Sequence, residues 1–185
     1  NKRYTVAIAS FAGIKTSRSL HLFRHIPVDS ASISSQLQLP VFVKPSNGGS
    51  SIGMSKVDHA SDLPAAIEKA FKEDDQVLIE EYLPGREFTV GVYIRSGEIT
   101  VLPITEVTTT KAFFDFEAKY QPGLSEEFTP ANISAEMQHK IITTARRIYE
   151  VFNCRGVVRM DMIYHQQHQE PYLLEINTVP GQSEM

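Results

Sequence analysis

Two short apolar runs near the C-terminus restrict the fold most. They are Gly-Val-Val-Arg-Met-Asp-Met-Ile-Tyr at 156–164 and Pro-Tyr-Leu-Leu-Glu-Ile-Asn-Thr at 171–178, with a polar link from His165 to Glu170 between them. Apolar, β-branched runs joined by a turn-like segment predict a β-hairpin over 156–178. Side chains alternate along a strand, so Arg159 and Asp161 share one face, and so do Glu175 and Asn177. A hairpin turning about its midpoint sets Asp161 opposite Glu175 and Arg159 opposite Asn177. Carboxylates placed so repel by up to ~1 kcal/mol. A hard cation such as Mg²⁺, which takes a few carboxylate or carbonyl oxygens plus substrate phosphates, removes that conflict. The alternative is a solvated sheet face carrying ordinary charges.

The remaining pattern is mixed. Helical spacing of Val6, Ile8, Ala9 and Ala12 predicts a helix over 2–12, stopped at Gly13. Further helices are expected at 29–37 and 61–72, and the clearest over 134–152, where Met137, Ile141, Ala145, Ile148 and Phe152 form one stripe. Strands are expected around 20–23, 41–44 and 77–82, and as a hairpin, 88–94 with 98–106, about Ser96-Gly97. Leu83-Pro84-Gly85 reads as a turn or hinge, and 108–128 as a long irregular stretch. Helices and strands that do not strictly alternate indicate an α+β fold in two layers.

Composition narrows the function. A chain of 185 residues with net charge −4 and no basic stripe is not built for nucleic acid. No apolar run approaches the ~18–20 residues of a membrane span, and no signal segment opens the chain. The single Cys154 excludes an internal disulfide and fits a reducing, cytoplasmic setting; it reads as a buried, inert thiol.

Three segments can carry chemistry. Lys44-Pro-Ser-Asn-Gly-Gly-Ser-Ser-Ile-Gly53 is a strand running into a donor-rich loop. Its glycines allow close backbone approach, and its N–H groups with Ser50 and Ser51 can line an anion site, Lys44 adding a charge. The common phosphate-loop patterns are absent. Val77-Leu-Ile-Glu-Glu-Tyr-Leu83 with Glu87 suits a purine: an apolar slot, Glu80 or Glu81 on the base edge and Glu87 on the ribose. The stretch 108–128, with Phe113, Phe114, Phe116, Lys119 and Tyr120, suits a lid that closes over a phosphate. Each also has a plain structural reading, as a surface turn, a charged strand end and a packed-down loop. His165 and His168 read as a solvated hairpin tip rather than a zinc site.

Taken in order, these pieces resemble the ATP-grasp enzymes and, within them, the D-alanine:D-alanine ligases. The resemblance runs through Asn1-Lys2, Lys44-Pro-Ser…Gly-Ser-Ser-Ile-Gly-Met54, Glu87-Phe-Thr-Val90, Phe116-Glu-Ala-Lys-Tyr120, Arg159-Met-Asp161 and Glu175-Ile-Asn-Thr-Val-Pro-Gly181. It implies two α+β subdomains with antiparallel sheets enclosing a nucleotide cleft, divided as 1–85 and 86–185, with the lid loop at 108–128. It implies ATP and two Mg²⁺ ions, or Mn²⁺, as cofactors and D-alanine as substrate. Lys2 and Lys44 then resemble the lysines on the ATP phosphates. Phe42, Met54, Tyr82, Phe113 and Leu174 resemble the adenine slot, Glu80 and the backbone near Leu83 the adenine-edge readers, and Glu87 the ribose partner. Asp161, Glu175 and Asn177 resemble the metal ligands, with Glu175 bridging. Arg159 and the Gly181 N–H resemble oxyanion stabilisers, Ser50 and Tyr120 a set at the first substrate's amino group, and Lys119 the lid lysine on the γ-phosphate.

The implied reaction joins two D-alanines through an acyl phosphate, in peptidoglycan precursor synthesis. Variants on that theme use D-lactate or D-serine as second substrate, and a catalytically inert nucleotide-binding module is a third reading. The family pattern also includes a preceding domain with a glutamate of the substrate set, and a following serine-leucine pair. Neither is present, so the chain is expected to be a fragment with weak or no ligase activity alone. It is expected to be monomeric, where the intact parent is a homodimer.

Overall fold

The computed structural model describes residues 1–27, 29–49, 51–109 and 125–181. The chain divides into two compact units. The described residues of 1–4 and 17–83 belong to the first, and those of 5–16, 84–109 and 125–181 to the second.

The first unit is a four-stranded antiparallel sheet in the order β1-β4-β2-β3: β1 Ser19–Phe23, β2 Val41–Pro45, β3 Ser55–Val57 and β4 Gln76–Glu81. Alternation sends Val41, Val43, Val77 and Ile79 to one face. There they pack on Ile33 of α2 (Ser30–Gln36) and on Leu63, Ala66 and Ala70 of α3 (Leu63–Glu73). The Asp29 carboxylate caps α2 by accepting the Ala31 N–H at 3.2 Å. Phe42, Lys44 and Glu80 are thereby left on the opposite face. The three-residue β3 was not anticipated from the sequence; its pairing with β2 defines it.

Helix α1 (Lys2–Phe11) forms where the spacing predicts, but only Ala9 of its residues is buried. Ile8, expected on the apolar stripe, is exposed, and Phe11 is 96% exposed.

The second unit is a six-stranded antiparallel sheet in the order β10-β9-β5-β7-β8, with β6 also on β5. The strands are β5 Gly85–Arg95, β6 Glu98–Val101, β7 Thr105–Thr109, β8 Ser125–Phe128, β9 Val158–His165 and β10 Pro171–Asn177. Phe88, Val90, Val92, Val158, Met160, Met162 and Leu173 face Ile141, Ala145 and Ile148 of α4 (Ala135–Val151). Ser134 caps α4 by accepting the Met137 N–H at 3.2 Å.

Two expectations need correction. The arm 98–106 is not one strand: Val92 pairs with Val101, yet Glu87 pairs with Val107, so one extra residue intervenes. It falls at Leu102-Pro103-Ile104, where Pro103 has no N–H to give to a ladder. The stretch 108–128 is not irregular at its ends, because Thr105–Thr109 and Ser125–Phe128 pair antiparallel. No helix of the described residues is long and apolar enough to cross a membrane.

Candidate functional site

On the first unit's open sheet face, Phe42 lies directly across from both Glu80 and Lys56. Lys44 reaches diagonally across the strands to donate to Glu80 Oε1. The side chains of this ion pair are only 12% and 9% exposed. The Phe42 and Tyr82 rings are tilted 49° with centroids 6.1 Å apart, and Lys56 lies over the Tyr82 ring. Glu81 points away and accepts the Gln38 N–H at 2.8 Å, which leaves Glu80 as the acid of this face. His21 lies opposite Leu78 on the same face. Burial holds its imidazole below the ordinary range, and Arg3 reinforces this against the opposing pull of Glu80.

The Gly/Ser loop follows β2. Ser51 and Gly53 adopt positive φ of 57° and 73°, and a side chain at Gly53 would meet Pro45 Cγ at 2.9 Å. Lys2 is brought to this loop: its backbone N–H donates to Ser46 O at 2.8 Å and its Nζ to Gly48 O at 2.9 Å. Met54 closes the loop, its N–H on Ser51 O at 3.2 Å. Leu83 is the last described residue of the first unit.

On the second unit, the register places Asp161 directly across from Glu175 and Arg159 across from Asn177, as expected from the hairpin's midpoint. The ladder reaches that register by a bulge. Leu173 pairs with Met162, then one residue is inserted before Glu175 pairs with Asp161. Leu173 and Ile176 both turn to the core. Leu174 and Glu175 therefore lie consecutively on the other face, which strict alternation would forbid.

Asp161 is held by four donors. Arg159 Nε and Nη2 approach its two oxygens at 3.0 and 3.1 Å, Thr89 Oγ1 donates at 2.8 Å and Asn177 Nδ2 at 3.0 Å. The carboxylate conflict expected from the sequence is thus offset in part by Arg159. Burial alone would lower the Arg159 pKa, but Asp161 with Glu175 and Glu127 outweighs it and holds the guanidinium above its ordinary range. Glu87 joins the same face through its pairing with Val107 and Ile163. Gly181 is exposed and ends the described chain.

Among the described residues no three His, Cys, Asp or Glu side chains gather as a metal cage. The donor set is instead two carboxylates and an amide on one face. That suits Mg²⁺, which is held by one or two carboxylates and completes its shell with phosphate and water. Ser50, Phe113, Lys119 and Tyr120 lie outside the described residues.

Two residues of these faces, Thr89 and Glu127, and one beside the Gly/Ser loop, Asp74, escaped the sequence reading. Thr89 sits two positions beyond Glu87, so strand parity alone could have found it. Glu127 reaches the Arg159 face only because β8 exists. Asp74, which holds the Gly/Ser loop, carries no motif. The histidine reading also changes: His165 is buried, not solvated, and its Nδ1 accepts the N–H groups of Gln167 and His168, both at 3.2 Å. Cys154 is buried as expected, which pushes its thiol pKa up.

Comparison with known proteins gives a consistent result. The family described as D-ala D-ala ligase C-terminus matches residues 2–185. A D-alanine–D-alanine ligase of Flavobacterium johnsoniae is 47% identical over 181 residues, 98% of this chain and 55% of the relative. Among solved structures, the VanG D-Ala:D-Ser ligase from Enterococcus faecalis superposes with a TM-score of 0.83 at 34% identity, over 97% of this chain and 52% of that one. The D-alanine–D-alanine ligase from Bacillus anthracis complexed with ATP has a TM-score of 0.79 at 26% identity, over 98% and 55% respectively. The chain spans about half the length of the curated relatives it matches.

Proposed function

We propose, proceeding from the fact that this chain belongs to the D-ala D-ala ligase C-terminus family, that it is the ATP- and Mg²⁺-binding part of an ADP-forming ligase that joins two D-alanines for peptidoglycan precursors. The carboxylate of the first D-alanine attacks the γ-phosphorus of ATP, and ADP leaves. The amine of the second attacks the resulting acyl phosphate at carbon, phosphate leaves and the nitrogen gives up a proton. Phosphoryl transfer of this kind depends on positioning and charge neutralisation more than on covalent help from the protein.

The observation that carries the reading is the direct pairing of Asp161 with Glu175 on the face shared with Arg159 and Asn177. In this reading those two carboxylates and the Asn177 amide oxygen hold two Mg²⁺ ions. Bound Mg²⁺ neutralises the β- and γ-phosphates. Lys2, Lys44, Ser51 and Lys119 bind the phosphates. Phe42, Met54 and Tyr82 form the adenine slot and Glu80 and the Leu83 backbone read its edge, while Phe113, Leu174 and Glu87 are, by the family resemblance, further partners of the adenine and the ribose. Arg159 and the Gly181 N–H stabilise the oxygen of the tetrahedral adduct. Ser50 and Tyr120 orient the first D-alanine.

Calorimetric titration of the chain with ATP, with and without Mg²⁺, tests the binding half. The reading predicts Mg²⁺-dependent affinity that Glu175→Gln abolishes; affinity indifferent to Mg²⁺ defeats it. The similarity to a D-Ala:D-Ser ligase supports one second reading, D-serine as the second substrate. Product analysis with D-alanine and D-serine supplied together separates the two dipeptides.

A further inference from the structure

The Gly/Ser loop rests at both ends on the last turns of α3. At its start, Asp74 Oδ2 accepts the Asn47 backbone N–H at 2.6 Å and Asn47 Nδ2 at 2.9 Å. The other oxygen of the same carboxylate accepts the Gln76 N–H at 3.1 Å, tying Asn47 to the first residue of β4. Asn47 in turn accepts from Asn1 Nδ2 at 3.1 Å, beside Lys2 and its bond to Gly48 O. At the loop's far end, Lys69 Nζ donates to Met54 O at 2.9 Å. Gly53 lies where a Cβ would stand 2.7 Å from Glu73 Cγ.

We infer that Asp74 is a positioning residue for phosphate binding. It fixes the backbone of the Gly/Ser loop, and through Asn47 and the Lys2 turn it presets that loop for the triphosphate; Lys69 secures the other end. This rests on the reading above that the loop cradles ATP. The physical ground is preorganisation. A glycine-rich loop loses more chain entropy on ordering than other segments, so a loop held before the ligand arrives keeps more of its interaction energy as affinity. A carboxylate accepting three N–H donors is a strong fixing point, because bonds to a charged acceptor are about twice as strong as neutral ones.

The test uses the whole chain with Mg²⁺·ATP and with adenosine as separate probes, plus amide hydrogen exchange of the apo protein. Asp74→Ala and the isosteric Asp74→Asn are expected to weaken Mg²⁺·ATP binding by about tenfold, leave adenosine affinity unchanged and speed exchange of the amides at 47–49 and 51–54. Lys69→Ala should act the same way more weakly, and serves if the Asp74 variants fold poorly. Equal losses for ATP and adenosine would mean a general structural role and overturn the inference. So would variant loop amides that exchange as slowly as wild type. A wild-type chain that binds no ATP defeats the functional reading, and the exchange result then decides whether Asp74 holds the loop at all.

Discussion

Lys44 and Glu80 neutralise each other across neighbouring strands, with their side chains almost wholly withdrawn from water. The sequence reading gave them to separate parts of a nucleotide, a phosphate and an adenine edge. Paired, they lie together on one face. Binding there requires each to keep its partner or exchange it for the ligand.

The pair makes a stability prediction. Removing one member strands a charge in a site that excludes water, which costs about 3–5 kcal/mol, whereas replacing both by apolar groups is close to neutral. Glu80→Ala should therefore lower the urea midpoint strongly, and Lys44→Met with Glu80→Leu should restore most of it while leaving ATP unbound. A double variant as unstable as the single one would show that the pair itself stabilises the sheet.

A second prediction separates Asp161 from Glu175. Glu175→Gln is isosteric and should leave the thermal midpoint nearly unchanged while removing the Mg²⁺ dependence of ATP binding. Asp161→Asn should also destabilise the fold. It turns an amide against Arg159, Thr89 or Asn177, each of which now donates to a carboxylate oxygen. Scanning calorimetry of the two variants checks the contrast. Identical midpoints would contradict the assigned hydrogen-bond set.

Thr89 offers a finer probe. Thr89→Val keeps the branched shape and deletes only the hydroxyl that donates to Asp161 at 2.8 Å. A loss of about 1 kcal/mol is expected, with Mg²⁺·ATP affinity falling as Asp161 loses one orienting contact. Chemical denaturation alongside calorimetric titration measures both. A stability loss with untouched affinity would confine Thr89 to the sheet.

Stability should decline in mild acid. His21 and His165 are both held below the ordinary value of 6.5, chiefly by burial. The unfolded chain therefore takes up protons at a higher pH than the folded one. Their contribution is complete above about pH 6.5 and is lost as pH falls through that value towards the folded pKa. The thermal midpoint should drop between about pH 7.5 and pH 5.5. His165→Asn, which keeps a turn acceptor but cannot titrate, should drop less. Parallel slopes for the variant and the wild type would remove His165 from the account.

Much of this architecture could be read from local pattern. Period-two alternation along each arm of the final hairpin put Arg159 with Asp161 and Glu175 with Asn177, and a turn about the hairpin's midpoint paired the two sets correctly. The stripe from Met137 to Phe152 identified α4 and its buried side, since 3.6-residue periodicity is carried by neighbours along the chain. The Gly/Ser loop announced itself through its glycines.

The rest depended on which segments became neighbours in space. Strand β8 exists through its pairing with β7. The bulge that lets Leu174 and Glu175 face the same way arises where the core claims both Leu173 and Ile176. Lys44 meets Glu80 because β2 lies beside β4, and Asp74 holds Asn47 across 27 residues of sequence. Periodicity and turn chemistry act over a few residues and survive in the linear order. Strand adjacency, register slips and long-range ion pairs are set by the burial of whole faces at once, so they emerge only when the sheet assembles.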